Sequence, residues 1–308
     1  MAIDYTTNGI ISDIQLLGLL PNSQVLITPE QFLSFMNFQM RAELVPLMDS
    51  VAQEFFVHYE DIAYDPSQKR YDIPERAVGE KLRDLVFVDA NDNEINIPRL
   101  RPEDLKVGYR YGIGYNIGLY GFFIRDNQIE LYLGNPSGIN SYPTLRMKFF
   151  RRPSNLVQTT DAGLIVAINS GTKEVTVSSA PPSWSTSDTF DFVKGKPHFV
   201  SKGDDKAITS LASNTLTFSD ELPEDLQIGD WVALAGESPI PQIPYDAFPL
   251  LTQLTVVKAL ESNRDTAGMK NALATIPTMK QSLLQIIAPR VDGSVEKLTG
   301  RSEIGNWI

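Results

Sequence analysis

An internal repeat in residues 161–237 constrains the fold more than any other feature of this sequence. The region is rich in Ser, Thr, Val and Gly, and its pattern of short strands, tight turns and a proline-bearing loop occurs twice, at an offset of about 42 residues. Residues 175–178 of the first copy correspond to 216–219 of the second, and 187–190 correspond to 229–232. Two copies predict about six short strands that close on one another as a small β-barrel or sandwich.

Helical patterns lie on both sides of this region. Thr28, Pro29 and Gln31 are typical of an N-cap, a first-turn proline and a capping-box partner. Because Pro46 lies inside the pattern that follows, we expect a kink or break near residues 43–45. Beyond it, one helix is predicted to bury a stripe made of Leu47, Met48, Val51 and Phe55.

Two more helices are predicted after the extended linker at residues 239–244. The first carries apolar residues up to Leu260 and ends near Asn263, and the second spans residues 266–288 with a kink at Pro277. The apolar positions of the second are Met269, Leu273, Ile276, Leu283, Ile286 and Ile287. We expect residues 28–59 to pack against residues 245–288, since each group has an apolar stripe without another partner.

Strand patterns fill the chain between these helices. They occur at residues 81–89 with a turn at 91–93, at 122–125 and 128–133 around Asp126-Asn127, and at 144–151. The predicted sheet core consists of Phe123, Ile129, Leu131, Leu133, Leu145, Met147 and Phe149. The fold class is therefore α+β, with a helical bundle from the N- and C-terminal helices, a central antiparallel sheet and an inserted small β-barrel or sandwich module.

The predicted organisation has four parts. Residues 1–157 form the helix and sheet part of the main domain, 158–238 the inserted β-rich module, 239–288 the C-terminal helices and 289–308 an extended arm. The arm is polar and glycine-punctuated but ends in Trp307-Ile308, which suggests an anchor for another surface.

The order of several segments along the chain carries a resemblance to a known family. These segments are LVPLMDSVAQEFF, YDIPERAVGEKLRD, VFVDANDNEI, IPRLRPEDL, a strand pair closed by NPSG, LRMKFFRRPSNLV and ALAGESPIPQIP. In this order, which covers most of the chain, the sequence resembles the head-to-tail adaptor (connector or neck) virion proteins of tailed bacteriophages. The resemblance implies a structural protein that forms a closed, twelvefold homo-oligomeric ring. It also implies binding to the portal protein and to tail or neck proteins, and a channel that DNA crosses without sequence-specific binding. The protein would lie in the virion neck, after assembly in the host cytoplasm.

Composition and motifs argue against most other functions. A net charge of −11 opposes non-specific phosphate binding, which needs clustered Lys and Arg. The chain has no Cys, its two histidines His58 and His198 lack metal-ligand spacing, and no cofactor motif is recognised. No signal peptide or membrane span is expected. We therefore expect no enzyme activity, no cofactor and no membrane partner.

The interface candidates come from three segments. Glycines and tyrosines alternate in residues 108–121, which favours a hairpin or a loop that contacts a neighbour through Tyr109, Tyr111, Tyr115 and Tyr120. Arg151 and Arg152 stand at the end of a strand, either solvated or bound to an acidic neighbour. Trp307 and Ile308 are the candidates in the C-terminal arm.

Two alternative functions remain open. A virion-associated glycan-binding or fibre-type protein is supported by the repeat module and by Trp184, which is flanked by Pro182 and Ser185. An exposed sugar platform is the alternative for this ring, and a packing role is favoured. A hydrolase would need a carboxylate pair such as Asp204 and Asp205 for acid and base work. A turn with a salt bridge explains that pair better.

Overall fold

The structure is a computed structural model that describes residues 4–18, 27–51, 53–100, 120–133, 142–195 and 201–288. It confirms an α+β fold that contains helices, several antiparallel sheets and a closed six-stranded barrel. The α-helices are α1 (Thr7–Leu17), α2 (Pro29–Gln39), α3 (Val45–Asp49), α4 (Phe248–Ser262) and α5 (Thr266–Ile287).

The start of α2 and the irregularity near Pro46 match the sequence prediction. The Thr28 side chain accepts a hydrogen bond from the backbone of Gln31, and the Gln31 side chain accepts one from the backbone of Thr28. A π-helical turn, Met40–Leu44, separates α2 from α3, and the Val45 N–H donates to the Met40 carbonyl. Proline has no N–H, so the wider turn accommodates a position at which the α-helical hydrogen bond is lost.

The apolar stripes were predicted only in part. Helix α3 ends at Asp49 and a 3₁₀ turn, Gln53–Phe56, follows, so Val51 is 41% exposed and the four-residue stripe is wrong. In α5 the buried positions are Ala272, Ile276, Leu283 and Ile287, whereas Leu273 and Ile286 are exposed. The first error arose because the helical period was continued past the end of α3. The second arose because apolar residues lie on more than one face of α5, and periodicity alone does not show which face is covered.

One apolar core joins the two ends of the chain. Side chains from α1, α2 and α3, including Ile14, Met36 and Met48, belong to the same buried cluster as Leu251 and Leu254 of α4. Helix α4 is buried on most of its surface because it contacts α1, α2 and α5. This core contains both segments that the sequence paired, residues 28–59 and 245–288.

A second core lies between two antiparallel sheets. The first sheet has the order β1-β7-β3-β4, and the second has the order β2-β6-β5. Their strands are β1 (Val57–Ala63), β2 (Arg70–Asp72), β3 (Ala77–Val88), β4 (Glu94–Asn96), β5 (Tyr120–Arg125), β6 (Gln128–Leu133) and β7 (Thr144–Arg151). Leu145, Met147 and Phe149 are buried as predicted, but Phe122 rather than Phe123 is the buried residue of β5. The Leu133 side chain lies outside the described residues.

The barrel is built from two interlocked copies of the repeat. The first copy gives β9 (Gly163–Asn169), β10 (Glu174–Val177) and β11 (Thr189–Val193), and the second gives β12 (Ser201–Ala212), β13 (Thr215–Phe218) and β14 (Trp231–Leu234). The closed order is β10-β13-β12-β11-β14-β9. Strand β11 therefore pairs only with strands of the second copy, and β14 only with strands of the first. Neither copy can close by itself.

The barrel contacts the rest of the molecule at its ends. Strands β8 (Asn155–Leu156) and β15 (Glu237–Ser238), which flank it in sequence, pair with each other in parallel. Trp231 packs against the helical core from β14, while its neighbour Val232 is buried in the barrel. Trp184 is only 6% exposed and lies edge-on to Phe190, with ring centroids 4.9 Å apart. The favoured packing role of Trp184 is confirmed, because the ring belongs to the barrel core, and the alternative of an exposed sugar platform is wrong.

Candidate functional site

The structure locates only some of the predicted interface residues. Tyr109, Tyr111, Tyr115, Trp307 and Ile308 lie outside the described residues, as does the whole predicted arm. Tyr120 begins β5, but its side chain is outside the described part as well.

The two arginines at the end of β7 have different environments. Arg152 is exposed, and its guanidinium approaches the Ala77 carbonyl at 3.5 Å. Arg151 is buried, and its Nη2 donates to Asp204 Oδ1 at 2.8 Å. A solvated strand end is therefore wrong for Arg151, because its guanidinium is paired within the chain.

Arg151 belongs to a cluster of charges where the first sheet meets the barrel. At its centre is Asp191 of β11, which has no exposed surface. Arg76, in the turn before β3, forms a bidentate pair with Asp191 through hydrogen bonds of 2.7 and 3.0 Å. The backbone N–H groups of Asp205 and Gly236 donate to the same carboxylate at 3.0 and 2.9 Å. Four donors thus satisfy a carboxylate that would otherwise be costly to bury.

Strand β12 supplies two more carboxylates to this cluster. Asp204 Oδ1 lies 3.2 Å from Arg76 Nη1, and Asp205 Oδ1 lies 2.7 Å from Arg76 Nη2. The two residues lie inside β12, where the register with β11 shifts and Asp205 has a positive φ of 53°. The expected turn is therefore a bulged strand, although the expected salt bridge is present. The bulge directs both carboxylates toward Arg76.

Burial and the oppositely charged neighbours shift the pKa values of these groups in opposite directions. Burial raises the pKa of Asp191 above its ordinary value, against the hydrogen bond from Arg76. Burial lowers the pKa of Arg151, and the nearby Asp204 and Asp191 only partly offset this effect. For Arg76, burial is outweighed by the hydrogen bonds and charge of Asp191 and its neighbours, so its pKa is raised. Arg76 therefore stays a cation in the fold despite its burial.

A cleft of about 1320 Å³ opens next to the cluster. One wall is strand β1, and the others include the 71–76 segment, the bulge of β12 and the 235–236 turn. His58 of β1 is at its edge, with Nε2 3.3 Å from Asp204 Oδ2. Glu60 also lines the cleft, and its pKa is raised by desolvation and then by repulsion from Asp205.

This arrangement can hold two layers together and can present charge to a partner. Asp191 is fully occupied by donors, and Asp204 is shared between two arginines and His58, so neither resembles a carboxylate kept available for proton transfer. Among the described residues, no group of three or more His, Cys, Asp or Glu side chains is arranged to hold a metal ion. Within the same part of the chain, no helix combines the length and apolar character that a bilayer span requires.

Sequence reasoning did not find Arg76, Asp191 or the cleft. A signal for Asp191 was present, because the acid interrupts the apolar strand Thr189–Val193, TFDFV. A carboxylate in the middle of a buried strand needs a cation or several donors. Nothing local identifies Arg76 as that cation, since it lies 115 residues away in sequence.

Searches against protein-family models and against curated proteins gave no match for this chain.

Proposed function

We propose that this protein is the ring-forming head-to-tail adaptor of a tailed bacteriophage, which joins the portal to the tail and surrounds part of the DNA channel. The observation that carries the proposal is the single core formed by helices from both ends of the chain, with the sheets and the barrel placed between them in sequence. The order of segments that resembles adaptor proteins supports the same conclusion.

The proposed mechanism involves assembly rather than chemistry. In each subunit, α1, α2, α4 and α5 act as a helical bundle, and bundles pack side by side through a heterologous contact that closes by rotation. The resemblance gives twelve copies. The sheets and barrel stand away from the bundle contact and meet the portal, tail or neck proteins.

The charged cluster meets a structural requirement of the proposed ring. A ring that transmits force during DNA passage needs its projecting modules held in a fixed orientation. The Arg76–Asp191 pair ties the barrel to the first sheet, and Trp231 ties it to the helical core. The net charge of −11 is consistent with a channel that DNA crosses without binding.

Mass in solution and electron microscopy test the proposal directly. We expect light scattering to detect an oligomer of defined mass, and negative-stain images to show rings with a central opening. A monomer at all concentrations, both alone and with the phage portal protein, would overturn the proposal. The glycan-binding alternative has lost its main support, because Trp184 has no exposed face on which a sugar could stack.

A further inference from the structure

Strand β1 is the edge strand of the first sheet. In the order β1-β7-β3-β4 it pairs with β7 on one side, and no described strand pairs with it on the other. The strand is seven residues long, Val57–Ala63. An edge of this length presents a row of backbone donors and acceptors that another chain can use.

The register shows which backbone groups face outward. The Tyr64 N–H donates to the Pro143 carbonyl at 2.9 Å, which places Tyr64 in a hydrogen-bonded pair with β7. In an antiparallel ladder every second residue makes such a pair, so His58, Glu60 and Ile62 are directed toward β7. The N–H and C=O groups of Val57, Tyr59, Asp61 and Ala63 are therefore directed away from it. We call these groups the β1 edge, and within the described part of the chain they make no hydrogen bond.

The middle of the β1 edge, at Tyr59 and Asp61, lines the large cleft. Residues 58–62 line it together with the bulge of β12 and the 235–236 turn. The volume of about 1320 Å³ exceeds the roughly 300–1000 Å³ typical of small-molecule pockets. A strand added to a sheet lies about 4.8 Å from its neighbour, so a cleft beside a free edge fits an extended peptide better than a compact ligand.

The charge of the cleft indicates which peptide fits. Seven Asp and Glu residues line it, against four Arg and Lys residues. Arg76 is already held by Asp191, Asp204 and Asp205. Glu60 forms no ion pair or side-chain hydrogen bond with any described residue. Its carboxylate is attracted by His58 and Arg76, but burial and the repulsion from Asp205 and Asp204 outweigh this attraction and raise its pKa. A cationic side chain beside Glu60 would relieve this repulsion.

We propose that the β1 edge binds an extended segment of a different protein that adds as a fifth strand to the first sheet and places a lysine or arginine side chain beside Glu60. Backbone hydrogen bonds to Tyr59 and Asp61 provide affinity, and the carboxylates of the cleft select a basic segment. A second copy of this chain is a poor occupant. An antiparallel pairing of β1 with itself that is centred on Glu60 or on Asp61 would place that carboxylate against its own copy, and like charges on paired strands are destabilising. The proposal does not depend on ring formation.

The test uses two synthetic peptides and the full-length protein. The basic peptide is acetyl-Thr-Lys-Val-Lys-Val-Lys-Thr-amide, and the acidic peptide has Glu in place of each Lys. We expect calorimetry to give at least about tenfold tighter binding of the basic peptide, equivalent to about 1.4 kcal/mol. We also expect the amide signals of Tyr59 and Asp61 to shift in NMR spectra and to become protected from hydrogen exchange. Equal affinity for the two peptides, or shifts that map elsewhere, would overturn the proposal.

Two variants separate the backbone contribution from that of the side chains. Tyr59→Ala removes the ring that lies under the Arg146 guanidinium but keeps the outward N–H, whereas Tyr59→Pro removes both. We expect Tyr59→Ala to bind the basic peptide nearly as tightly as the wild type does. The affinity of Tyr59→Pro for this peptide should be at least tenfold lower than that of Tyr59→Ala. Equal binding by the two variants contradicts strand addition.

Charge reversal tests the selectivity. In Glu60→Lys the preference for the basic peptide should fall by about tenfold or reverse. An unchanged preference would assign the selectivity to another part of the cleft and contradict the role of Glu60. If the wild type associates with itself through the β1 edge, and Tyr59→Pro abolishes that association, the occupant is a second copy and the proposal is wrong.

Discussion

The helical core and the barrel each bury an apolar cluster, but they draw its residues from the chain in opposite ways. The helical core combines residues from the two ends of the chain, so its contacts span more than 200 residues, as in the Lys280–Glu43 pair with a separation of 237. The barrel is formed by residues 163–234 alone, and its two repeats complete each other. A contiguous module can fold from local sequence, whereas the helical core requires the whole chain to be in place.

Two contacts hold the barrel in place: the charged cluster joins it to the first sheet, and Trp231 joins it to the helical core. These contacts decide how independent the barrel is of the rest of the molecule. The Arg76–Asp191 pair is buried and polar, while the Trp231 contact is apolar. Damage to the helical core should reach the barrel through Trp231 and through the β8–β15 pair, whose Leu156 belongs to that core. The following predictions use that difference, from the largest expected effect to the smallest.

The largest loss of stability should come from a charge placed in the helical core. Leu254 is buried, so Leu254→Asp removes its packing and leaves an unpaired carboxylate. Together these cost more than roughly 5 kcal/mol, enough to unfold most domains. We expect the loss of much of the helical circular dichroism at 25 °C. Ile286→Asp is the matched control, because Ile286 is 60% exposed and the change should stay within about 0.5 kcal/mol. Equal melting of both variants would show that α4 does not hold the core together.

Breaking the charged cluster should have the next largest effect. Arg76→Leu leaves Asp191 buried without its bidentate partner, at a cost of roughly 3–5 kcal/mol in the free energy of unfolding near neutral pH. Urea unfolding followed by tryptophan fluorescence measures this loss, since Trp231 lies at the contact between the two regions. The double variant Arg76→Leu/Asp191→Asn removes the charge as well and should recover part of the lost stability.

The burial of Asp191 also predicts that the free energy of unfolding depends on pH. The folded-state pKa of Asp191 is raised above its ordinary value of 3.8, so the unfolded chain binds fewer protons than the fold between these two values. Stability therefore falls as pH rises from about 3.8 through the folded pKa and is constant above it. Arg76→Leu should increase this dependence, because the pKa of Asp191 rises further when its cation is lost. The double variant, which has no carboxylate at residue 191, should lack the increase.

Removal of the barrel tests how far the two regions are separate. Residues 158–237 can be replaced by a short Gly-Ser linker from Val157 to Ser238, because the Val157 N–H donates to the Ser238 carbonyl at 3.0 Å and the two ends are neighbours. We expect the remainder to unfold cooperatively with its helical signal intact. The lost Trp231 contact should lower its stability by roughly 1.5–3 kcal/mol. Aggregation of the deletion variant would mean that the barrel is part of the main core.

The smallest effect on stability should come from the C-terminus. Deletion of residues 301–308 removes Trp307 and Ile308, the anchors that the sequence suggests for a docking arm. We expect the melting temperature to change by less than the equivalent of about 0.5 kcal/mol, while ring assembly or attachment to the portal weakens. Unchanged assembly, with equal particle yield in a complementation assay, would refute the docking role of the arm.

The value of sequence reasoning differed between the two regions for a physical reason. In the barrel, alternation and turn residues act over a few positions, so the repeat gave the number of strands and the closed barrel was one of two predicted forms. In the helical region, the capping box at Thr28 and the irregularity before Pro46 were equally local and were confirmed. The buried face of α5 was not predicted correctly, because it depends on where α4 lies.

The sequence by itself determined the α+β class, the positions of α2, α4 and α5 and of most strands from β3 onward, and the exclusion of thiol chemistry. It did not predict α1, and β1 begins inside the segment that it assigned to helices. Only the tertiary structure decided which residue of the Phe122–Phe123 pair is buried, that Trp184 fills the barrel core, and that Asp191 meets Arg76. It also decided that β1 is an edge strand beside an acidic cleft. Helices and strands follow from hydrogen bonds and periodicity among near neighbours in the chain. A buried ion pair or a free sheet edge depends on which distant segments meet, and no local pattern encodes that.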